Sequence, residues 1–251
     1  MDLGLRGMRV AITGGSRGIG LACAHAFAHE GASPLLIARD SETLQQAVRA
    51  VADRNGVAAK GVRCDLSDPA DRRRTLAELD RADVVVNNAG DAPWGHLPDV
   101  TEDQIRAAFE LKLFGYLEVA RWALTGFHAA GSGVLINVIG AGGHAPQDSF
   151  AIGASINAAL IALTEAGGGF PRRDGVRVVG LSPGAVMTER LQKLMEQRAY
   201  ATWRDSSKWT DVLPTSPPPA TPDEIADVVV MLASKRARHV DRTVLLVNGG
   251  R

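Results

Sequence analysis

Cysteine is scarce in this sequence, and its scarcity limits the classes of protein that the chain can encode. Only Cys23 and Cys64 occur in 251 residues, and neither has another cysteine or a histidine at the spacing of a metal site. A disulfide framework is therefore excluded, and we expect no metal centre. Few cysteines, and the lack of an apolar leader segment near Met1, favour a reducing compartment, so we expect the protein in the cytoplasm.

Net charge and long apolar runs are lacking as well. Lys plus Arg and Asp plus Glu both number 28, so the formal net charge is zero. Nucleic acid or an anionic membrane would require an excess of basic residues on one face, so we expect neither as a partner. The basic cluster at residues 72–74 is flanked by acidic residues and predicts a solvated helix face. No apolar run reaches the roughly 18 residues of a membrane span.

Apolar segments of strand length alternate with longer segments of helical period along the chain. The predicted strands are 8–13, 33–38, 57–64, 84–87, 133–139, 176–181 and 243–247. The predicted helices are a first one ending near 29, then 41–54, 68–79, 101–129, 149–166 and 222–233. The strands are continuously apolar, which is typical of a parallel sheet with helices on both faces. We therefore predict one doubly wound α/β domain spanning residues 1–251.

The composition changes between residues 188 and 221. This segment contains Trp203, Trp209 and three consecutive prolines at 217–219, among many polar residues. It predicts an excursion from the core that acts as a mobile flap over a substrate site. The alternative is a static surface segment.

A glycine-rich turn follows the first predicted strand and opens the first helix. Residues 13–20 have the sequence TGGSRGIG. Glycine lets the backbone approach a pyrophosphate, and the start of a helix offers free N–H groups and the positive end of its dipole. Polar segments also follow the third strand, at residues 65–66, and the fourth strand, at residues 87–90. Ligands bind at such strand ends in open α/β sheets.

These motifs together resemble the short-chain dehydrogenase/reductase family. TGGSRGIG, CDL at 64–66, NNAG at 87–90, SPGAVMT at 182–188 and VNGG at 247–250 occur in the order and spacing of that family. The resemblance extends over almost the whole chain and implies a Rossmann fold that binds a nicotinamide dinucleotide. The cofactor-binding residues that it implies are Gly14, Ser16, Arg17, Gly18, Ile19, Gly20, Asp65, Leu66, Asn88, Ala89, Gly90, Pro183, Gly184, Val186 and Thr188.

The residues after the second strand favour NADP over NAD. NAD-binding proteins place a carboxylate there for the ribose 2′-OH, whereas a 2′-phosphate needs cations. This sequence has Arg39 at that place, and Arg17 of the glycine turn could reach the same phosphate. Asp40 argues the other way, because its carboxylate could offset Arg39.

The catalytic residues of the family are absent. Members of the family use an Asn–Ser–Tyr–Lys set, and local alignment puts the Ser at Gly140, the Tyr at Gly153, the Lys at Asn157 and the Asn at Lys112. The resemblance therefore implies a divergent member. The Asn and Lys positions have exchanged residue types, so we hypothesise that Lys112 supplies the lost cation beside Asn157. An ion-paired or solvated lysine is the alternative.

Other proton carriers are few. His144 follows the fifth strand, in the region that lines the family's substrate pocket, and its unperturbed pKa suits proton transfer; an exposed loop histidine is the alternative. Tyr116 and Tyr200 are the only phenols; we expect Tyr116 at an interface and Tyr200 within the flap. Phe150 has no hydroxyl, so it would shape the pocket. Glycine at 140 and 153 should leave space for a bulky or cyclic substrate.

Three functions remain open. The first is an NADP(H)-dependent oxidoreductase acting on a carbonyl or alcohol through a rearranged proton relay. The second is a non-catalytic dinucleotide-binding protein or sensor, and the third is a lyase or isomerase on the same scaffold. By resemblance, helices 101–129 and 149–166 would form a homodimer or homotetramer. Their apolar residues are consistent with this: Leu111, Leu113, Phe114, Leu117, Leu160, Ile161 and Leu163.

Overall fold

A seven-stranded, wholly parallel sheet forms the centre of the molecule. The computed structural model describes residues 2–250; Met1 and Arg251, the ends of the predicted domain, lie outside the described residues. The sheet has the order β3-β2-β1-β4-β5-β6-β7. Its strands are β1 Arg9–Thr13, β2 Ser33–Ala38, β3 Lys60–Arg63, β4 Val84–Asn87, β5 Gly133–Val138, β6 Val176–Pro183 and β7 Thr243–Val247. The chain order reverses between β1 and β4, where a doubly wound sheet opens a crevice.

Within residues 2–250, eight α-helices accompany the strands. They are α1 Gly18–His29, α2 Ser41–Asn55, α3 Pro69–Glu78, α4 Glu102–Ala108, α5 Gly115–Ala130, α6 Ala151–Glu165, α7 Glu189–Trp203 and α8 Pro222–Ala233. Their starts follow from local chemistry: Thr101 and Thr221 form capping boxes with Gln104 and Glu224. The doubly wound α/β fold predicted from the sequence is confirmed.

The sheet buries both of its faces. Val10, Ile12 and Val86 belong to a core with α1, α2 and α8, whereas their neighbours Ala11 and Val85 belong to a second core with α3 and α5. Side chains on a strand alternate between faces, so a strand covered on both sides must be apolar at every position. This explains the continuous apolar runs of the sequence.

The predicted helix 101–129 is divided in the structure. A π-turn, Phe109–Phe114, separates α4 from α5. Apolar periodicity does not reveal one extra residue within a helix, so the prediction of one continuous helix was wrong. The third strand is also shorter than predicted, because only Lys60–Arg63 pairs with β2.

The basic cluster at residues 72–74 is not wholly solvated as predicted. Arg72 on α3 is only 1% exposed and pairs with Glu110 and Glu118, whereas Arg74 is exposed and pairs with Asp71. Glu110 and Glu118 are distant from Arg72 in the sequence, so the residues around Arg72 do not predict its burial.

Segment 188–221 contains a helix that the sequence analysis did not predict. α7 buries Met195 and Ala199, and a turn of 3-10 helix, Ser206–Val212, follows it. The segment rejoins the core through the bridge between Val186 and Ala220.

Two kinds of feature are absent from residues 2–250. No helix there is long and apolar enough to cross a membrane. The same part of the chain contains no group of three or more His, Cys, Asp or Glu side chains arranged to hold a metal ion.

Candidate active site

The glycine-rich turn lies between β1 and α1, beside the sheet crevice. Gly14 has φ 64°, and a Cβ there would lie 3.0 Å from Ala89 Cα. A Cβ on Gly20 would overlap Gly14 O, so both positions require glycine. Ser16 lies half-buried within the turn. Arg17 provides no side-chain cap for α1, so the first N–H groups, including those of Gly18 and Ile19, remain for an anion. The turn therefore fits a pyrophosphate.

Asn88 joins the glycine turn to the end of β4. Its Nδ2 donates to Thr13 O at 3.0 Å. The N–H groups of Asn88 and Ala89 donate to Thr13 Oγ1 at 2.8 and 3.0 Å. The hydroxyl of Thr13 thus holds the start of the 88–90 segment against β1, and the two predicted cofactor-binding segments lie together.

Arg17 and Arg39 both act electrostatically on Asp40, and Arg17 also pairs with Glu189 of α7 at 3.6 Å. Hydrogen bonds from the N–H and hydroxyl of Thr43, at 2.9 and 2.8 Å, hold the pKa of Asp40 below its usual value. The two arginines lower that pKa further. Asp40 is the N-cap of α2, and the same Oδ1 accepts both bonds from Thr43. Its carboxylate is therefore engaged with the helix start, which weakens the sequence-based objection to NADP.

Asp65 and Leu66 follow β3 at the same edge of the sheet. Asp65 Oδ1 accepts hydrogen bonds from Ser67 N and Oγ at 3.0 and 2.6 Å, which lower the pKa of Asp65, and Arg39 and Arg63 lower it further. The Leu66 side chain is buried in the core under α5. Only the backbone of Leu66 is therefore suited to line a ligand site.

Residues 183–188 reach the glycine turn from the opposite side. Gly184 follows Pro183, and its N–H donates to Val247 O at 3.0 Å. Val186 is buried, and Thr188 caps α7 by accepting from Leu191 N at 3.3 Å. A Cβ on Gly18 would lie 3.3 Å from Thr188 Cγ2. The predicted cofactor-binding segments 13–20 and 183–188 are therefore in contact.

Lys112 and Asn157 form a buried pair beside Gly90. Lys112 Nζ donates to Asn157 Oδ1 at 2.8 Å and to Ile139 O at 2.6 Å. The lysine stem crosses Gly90, where a Cβ would lie 2.9 Å from Lys112 Cδ. The π-turn, α6 and the end of β5 thus meet at one ammonium group. The two residues whose types had exchanged in the sequence are direct hydrogen-bond partners.

The environment of Lys112 favours its neutral form. The residue is 8% exposed, and desolvation lowers its pKa to about 7. Arg190 contributes to this lowering, and Asp91 opposes it. A lysine with such a pKa can change its protonation state near neutral pH.

The space expected at Gly153 is already filled. A Cβ on Gly153 would overlap the ring of Phe150, which stacks on Trp94 with ring centroids 5.0 Å apart. At Gly140, a Cβ would lie 3.0 Å from Asn157 Nδ2. The expectation of extra room at 153 was therefore wrong, because a residue three positions earlier folds back over the glycine.

His144 lies apart from the lysine pair. Its Nε2 is 3.2 Å from Ser182 Oγ on β6, and the imidazole is otherwise exposed. Ser182 is fully buried and was not singled out in the sequence, although it opens the SPGAVMT segment. The pair provides a hydroxyl and an imidazole at the carboxyl end of β6.

Tyr116 does not have the setting that was expected, whereas Tyr200 lies within segment 188–221 as predicted. Tyr116 is 1% exposed and donates to Val138 O at 2.7 Å, so it is a core residue rather than an interface residue, and burial raises its pKa. Tyr200 is exposed on α7, beneath the guanidinium of Arg204.

α7 packs over this region through two arginines. Arg190 donates to Gly90 O at 3.1 Å and pairs with Asp91 at 3.2 Å. Arg198 lies 5.3 Å from the centroid of Trp94. The helix is therefore connected to the loop after β4 and, through Trp94, to Phe150.

The parallel sheet and the glycine-rich turn define a dinucleotide-binding α/β protein. Comparison with known proteins gives its family. Residues 14–251 match the family model described as Enoyl-(Acyl carrier protein) reductase. The chain belongs to the short-chain dehydrogenase/reductase family.

Relatives and solved structures match over nearly the whole chain. An uncharacterised oxidoreductase of Bacillus subtilis (strain 168) is 29% identical over 100% of this chain and 98% of its own. The cis-4-hydroxycyclohexanecarboxylate dehydrogenase of Sinomonas cyclohexanicum is 32% identical over 96% of each chain. The L-sorbose reductase of Gluconobacter frateurii, solved with NADPH and L-sorbose, has a TM-score of 0.91 at 28% identity and is matched over 98% of its chain, with 100% of this chain covered.

Proposed function

We propose that this protein is an NADP(H)-dependent oxidoreductase that interconverts an alcohol and a carbonyl group on a small-molecule substrate. The observation that supports this most strongly is the buried Lys112–Asn157 pair beside Gly90. It puts a titratable amine next to Gly90, one of the predicted cofactor-binding residues, in a member of an oxidoreductase family. A hydride would come from bound NADPH or pass to NADP, and the protein must supply binding and proton transfer.

NADP is the proposed cofactor, with NAD less favoured. Arg17 and Arg39 both lower the pKa of Asp40, so two cations act on the region after β2, where a 2′-phosphate would need them. Asp40 is engaged with Thr43 at the start of α2. The NADPH complex of L-sorbose reductase supports the same choice.

The proposed proton relay is atypical. Gly140 and Gly153 have no side chain that could move a proton, so we assign this role to Lys112, oriented by Asn157. His144, with Ser182 as its partner, is the proposed second carrier. Lys112 can change its protonation state near neutral pH, so we assign to it the proton that a substrate carbonyl oxygen gains on reduction.

Segment 188–221 is the proposed cover of the substrate site. Arg190 and Arg198 connect α7 to the loop after β4, so the helix can close over a bound molecule. A cyclic substrate remains part of the proposal. The name of the Sinomonas relative, which denotes a cyclic hydroxy acid, supports it, whereas the filled space at Gly153 does not.

A dinucleotide-binding protein without catalytic activity is the second candidate. It is favoured by the Phe150 ring over Gly153, where the resemblance expects a phenol. The two candidates share the cofactor site and differ only in turnover.

Calorimetric titration with NADPH and NADH tests the cofactor assignment first. We expect NADPH to bind in the micromolar range and more tightly than NADH. Arg39→Gln should weaken NADPH binding roughly tenfold or more, the value of a charge-assisted contact, and leave NADH unchanged. Arg49→Gln, an exposed arginine of α2, is the matched control.

Turnover then separates the two candidates. Steady NADPH consumption with any member of a carbonyl panel, lost in Lys112→Met, supports the oxidoreductase. NADPH binding without turnover across the panel supports the non-catalytic protein. If neither dinucleotide binds, the cofactor proposal fails and a lyase or isomerase on this scaffold becomes the better explanation.

The assembly and location of the protein are also proposals. We propose a homodimer or homotetramer through α4–α5 and α6, supported by Phe114, which is 48% exposed on the π-turn. Cys23 and Cys64 are both buried free thiols, which supports a reducing cytoplasmic setting.

A further inference from the structure

The π-turn contains Lys112 and determines the direction in which its side chain points. The N–H of Gly115 donates to Glu110 O, five residues earlier, so the turn contains one residue more than a regular α-helical turn. One inserted residue rotates the following part of the helix by about 100° around the helix axis, relative to the part that precedes it. Lys112 can therefore reach Ile139 O and Asn157 only while the wide turn persists.

All three guanidinium nitrogens of Arg72 donate hydrogen bonds in this region. Nε and Nη2 donate to the two oxygens of the Glu118 carboxylate at 2.9 and 3.2 Å. Nη2 also donates to Glu110 Oε1 at 2.8 Å, and Nη1 donates to Glu110 O at 3.4 Å and to Leu66 O. The side chain is 1% exposed, so these bonds have little competition from water.

The two glutamates lie on opposite sides of the wide part of the turn. Eight residues of regular α-helix rotate by about 800°, which leaves residue 118 about 80° away from the face of residue 110. The extra residue removes about 100° of this rotation, so the two carboxylates return to within about 20° of one face. One guanidinium holds both carboxylates in the π-turn, whereas a straight helix would direct them about 80° apart.

From this geometry we propose that Arg72 is a positioning residue: by holding Glu110 and Glu118 together it stabilises the π-turn that directs Lys112 onto Asn157. The proposal rests on the proposed function only in so far as Lys112 takes part in turnover. Arg72 also holds Leu66 O, so one side chain joins the segment after β3 to the turn that presents the lysine.

The test follows the ionisation of Lys112 directly. The sequence has five lysines, Lys60, Lys112, Lys193, Lys208 and Lys235, so lysine labelled with ¹³C at Cε gives few NMR signals. The signal that disappears in Lys112→Met is assigned to Lys112. In the unaltered protein it should titrate near pH 7. The groups around the amine, Arg190, Asp91 and Asn157, are retained in every variant below.

Glu118→Gln is the decisive variant. Removing a negative charge would by itself lower the pKa of a nearby lysine. If the π-turn relaxes and the amine reaches solvent, the pKa instead rises, by at least one unit, toward the ordinary value of about 10.4. Arg72→Lys keeps the positive charge but loses the several donors of the guanidinium, so it should also raise the pKa of Lys112. Arg177→Met, at the other buried arginine, should destabilise the protein and leave the Lys112 titration unchanged.

The outcomes are distinct. An unchanged or lowered Lys112 pKa in Glu118→Gln and Arg72→Lys, or an unaltered protein in which Lys112 titrates above pH 9, overturns the positioning role. A raised pKa supports it, and Glu118→Gln still gives this result if Arg72 variants do not fold. If the Lys112 pKa rises while the pH profile of NADPH-dependent turnover stays the same, Arg72 positions Lys112 but the proposed catalytic role of Lys112 fails.

Discussion

Lys112 shows how one buried side chain can link stability to pH. In the unfolded chain its amine has an ordinary pKa above 10, whereas in the folded protein desolvation lowers the pKa to about 7. Between these values the unfolded state binds more protons, so this group makes stability rise with pH. Below about pH 7 both states are protonated, and its destabilising contribution is constant. Arg190 and Asp91 are the charged groups that act on it.

We therefore expect Lys112→Met to remove a pH-dependent term from the free energy of unfolding. The difference between the unaltered protein and the variant should grow in favour of the unaltered protein from pH 7 to 9.5, by at most about 1.4 kcal/mol per pH unit. Urea unfolding at several pH values measures it. Lys193→Met, an exposed lysine of α7, should show no such trend. A flat difference for Lys112→Met would contradict the lowered pKa.

Gly153 gives a second expectation at the scale of single residues. In a helix interior, alanine normally gives a stability higher than glycine does, by up to about 1 kcal/mol. At Gly153 the added Cβ would overlap Phe150, so Gly153→Ala should instead destabilise the protein by about 1–3 kcal/mol. Thermal unfolding compares it with Gly126→Ala on α5, where the Cβ meets only the flexible Arg81 side chain and should be neutral or stabilising.

The double variant identifies the cause. In a Phe150→Ala background the ring is gone, so Gly153→Ala should cost much less than it does alone. Equal costs in both backgrounds would mean that Phe150 does not occupy this space.

At the scale of elements, polar groups fix how helices end against the sheet. The carboxyl end of α8 has no glycine, and its carbonyl groups are bound instead by Arg177 of β6. The guanidinium donates to Leu232 O, Ala233 O and Ser234 O at 2.8, 3.3 and 3.1 Å. A fourth bond reaches Val240 O at 3.1 Å. A strand residue thus performs the role that a C-terminal cap usually fills.

Arg177→Met should therefore be strongly destabilising. Methionine fills part of the volume but leaves buried carbonyl groups without donors, at a cost of roughly 3 kcal/mol. Chemical denaturation gives the value. Arg238→Met removes an exposed arginine just beyond α8 and should change stability by less than about 0.5 kcal/mol. Similar effects of the two substitutions would show that the cap contributes little.

At the scale of the whole molecule, exposed apolar groups bear on assembly. Phe114 and Leu97 are 48% and 57% exposed, but only Phe114 lies between α4 and α5, on the helices of the proposed interface. Burying a charge at a subunit contact without a partner costs several kcal/mol. The two residues therefore offer a matched pair for testing the oligomer.

We expect Phe114→Asp to shift the protein toward smaller species, with association weakened roughly a hundredfold or more. Sedimentation velocity at micromolar concentration measures this change. Leu97→Asp should leave the oligomer intact. A protein that is monomeric before any substitution would refute the proposed assembly, and an oligomer that survives Phe114→Asp would refute this interface.

Much of the fold was available from the sequence, for a local reason. Strands buried on both faces must be apolar throughout, and helices that cover them must be amphipathic, so both leave a pattern within a few residues. The glycine turn is equally local, because backbone approach at Gly14 and Gly20 requires the absence of a Cβ. From such patterns the class of fold, the strands and most of the helices could be predicted.

The chemistry of the candidate site depended on contacts between distant segments. Apolar periodicity does not predict three features of this site, because each depends on side chains that meet only in space. They are the π-turn, the burial of Arg72 and the position of the Phe150 ring over Gly153. The sequence supported only a hypothesis that Lys112 acts beside Asn157, and the tertiary structure shows that the two side chains share a hydrogen bond. The sequence by itself determined the layered α/β scaffold and its glycine-rich turn. The tertiary structure alone decided which polar groups are desolvated together, because desolvation depends on every neighbour in space and not on neighbours in the chain.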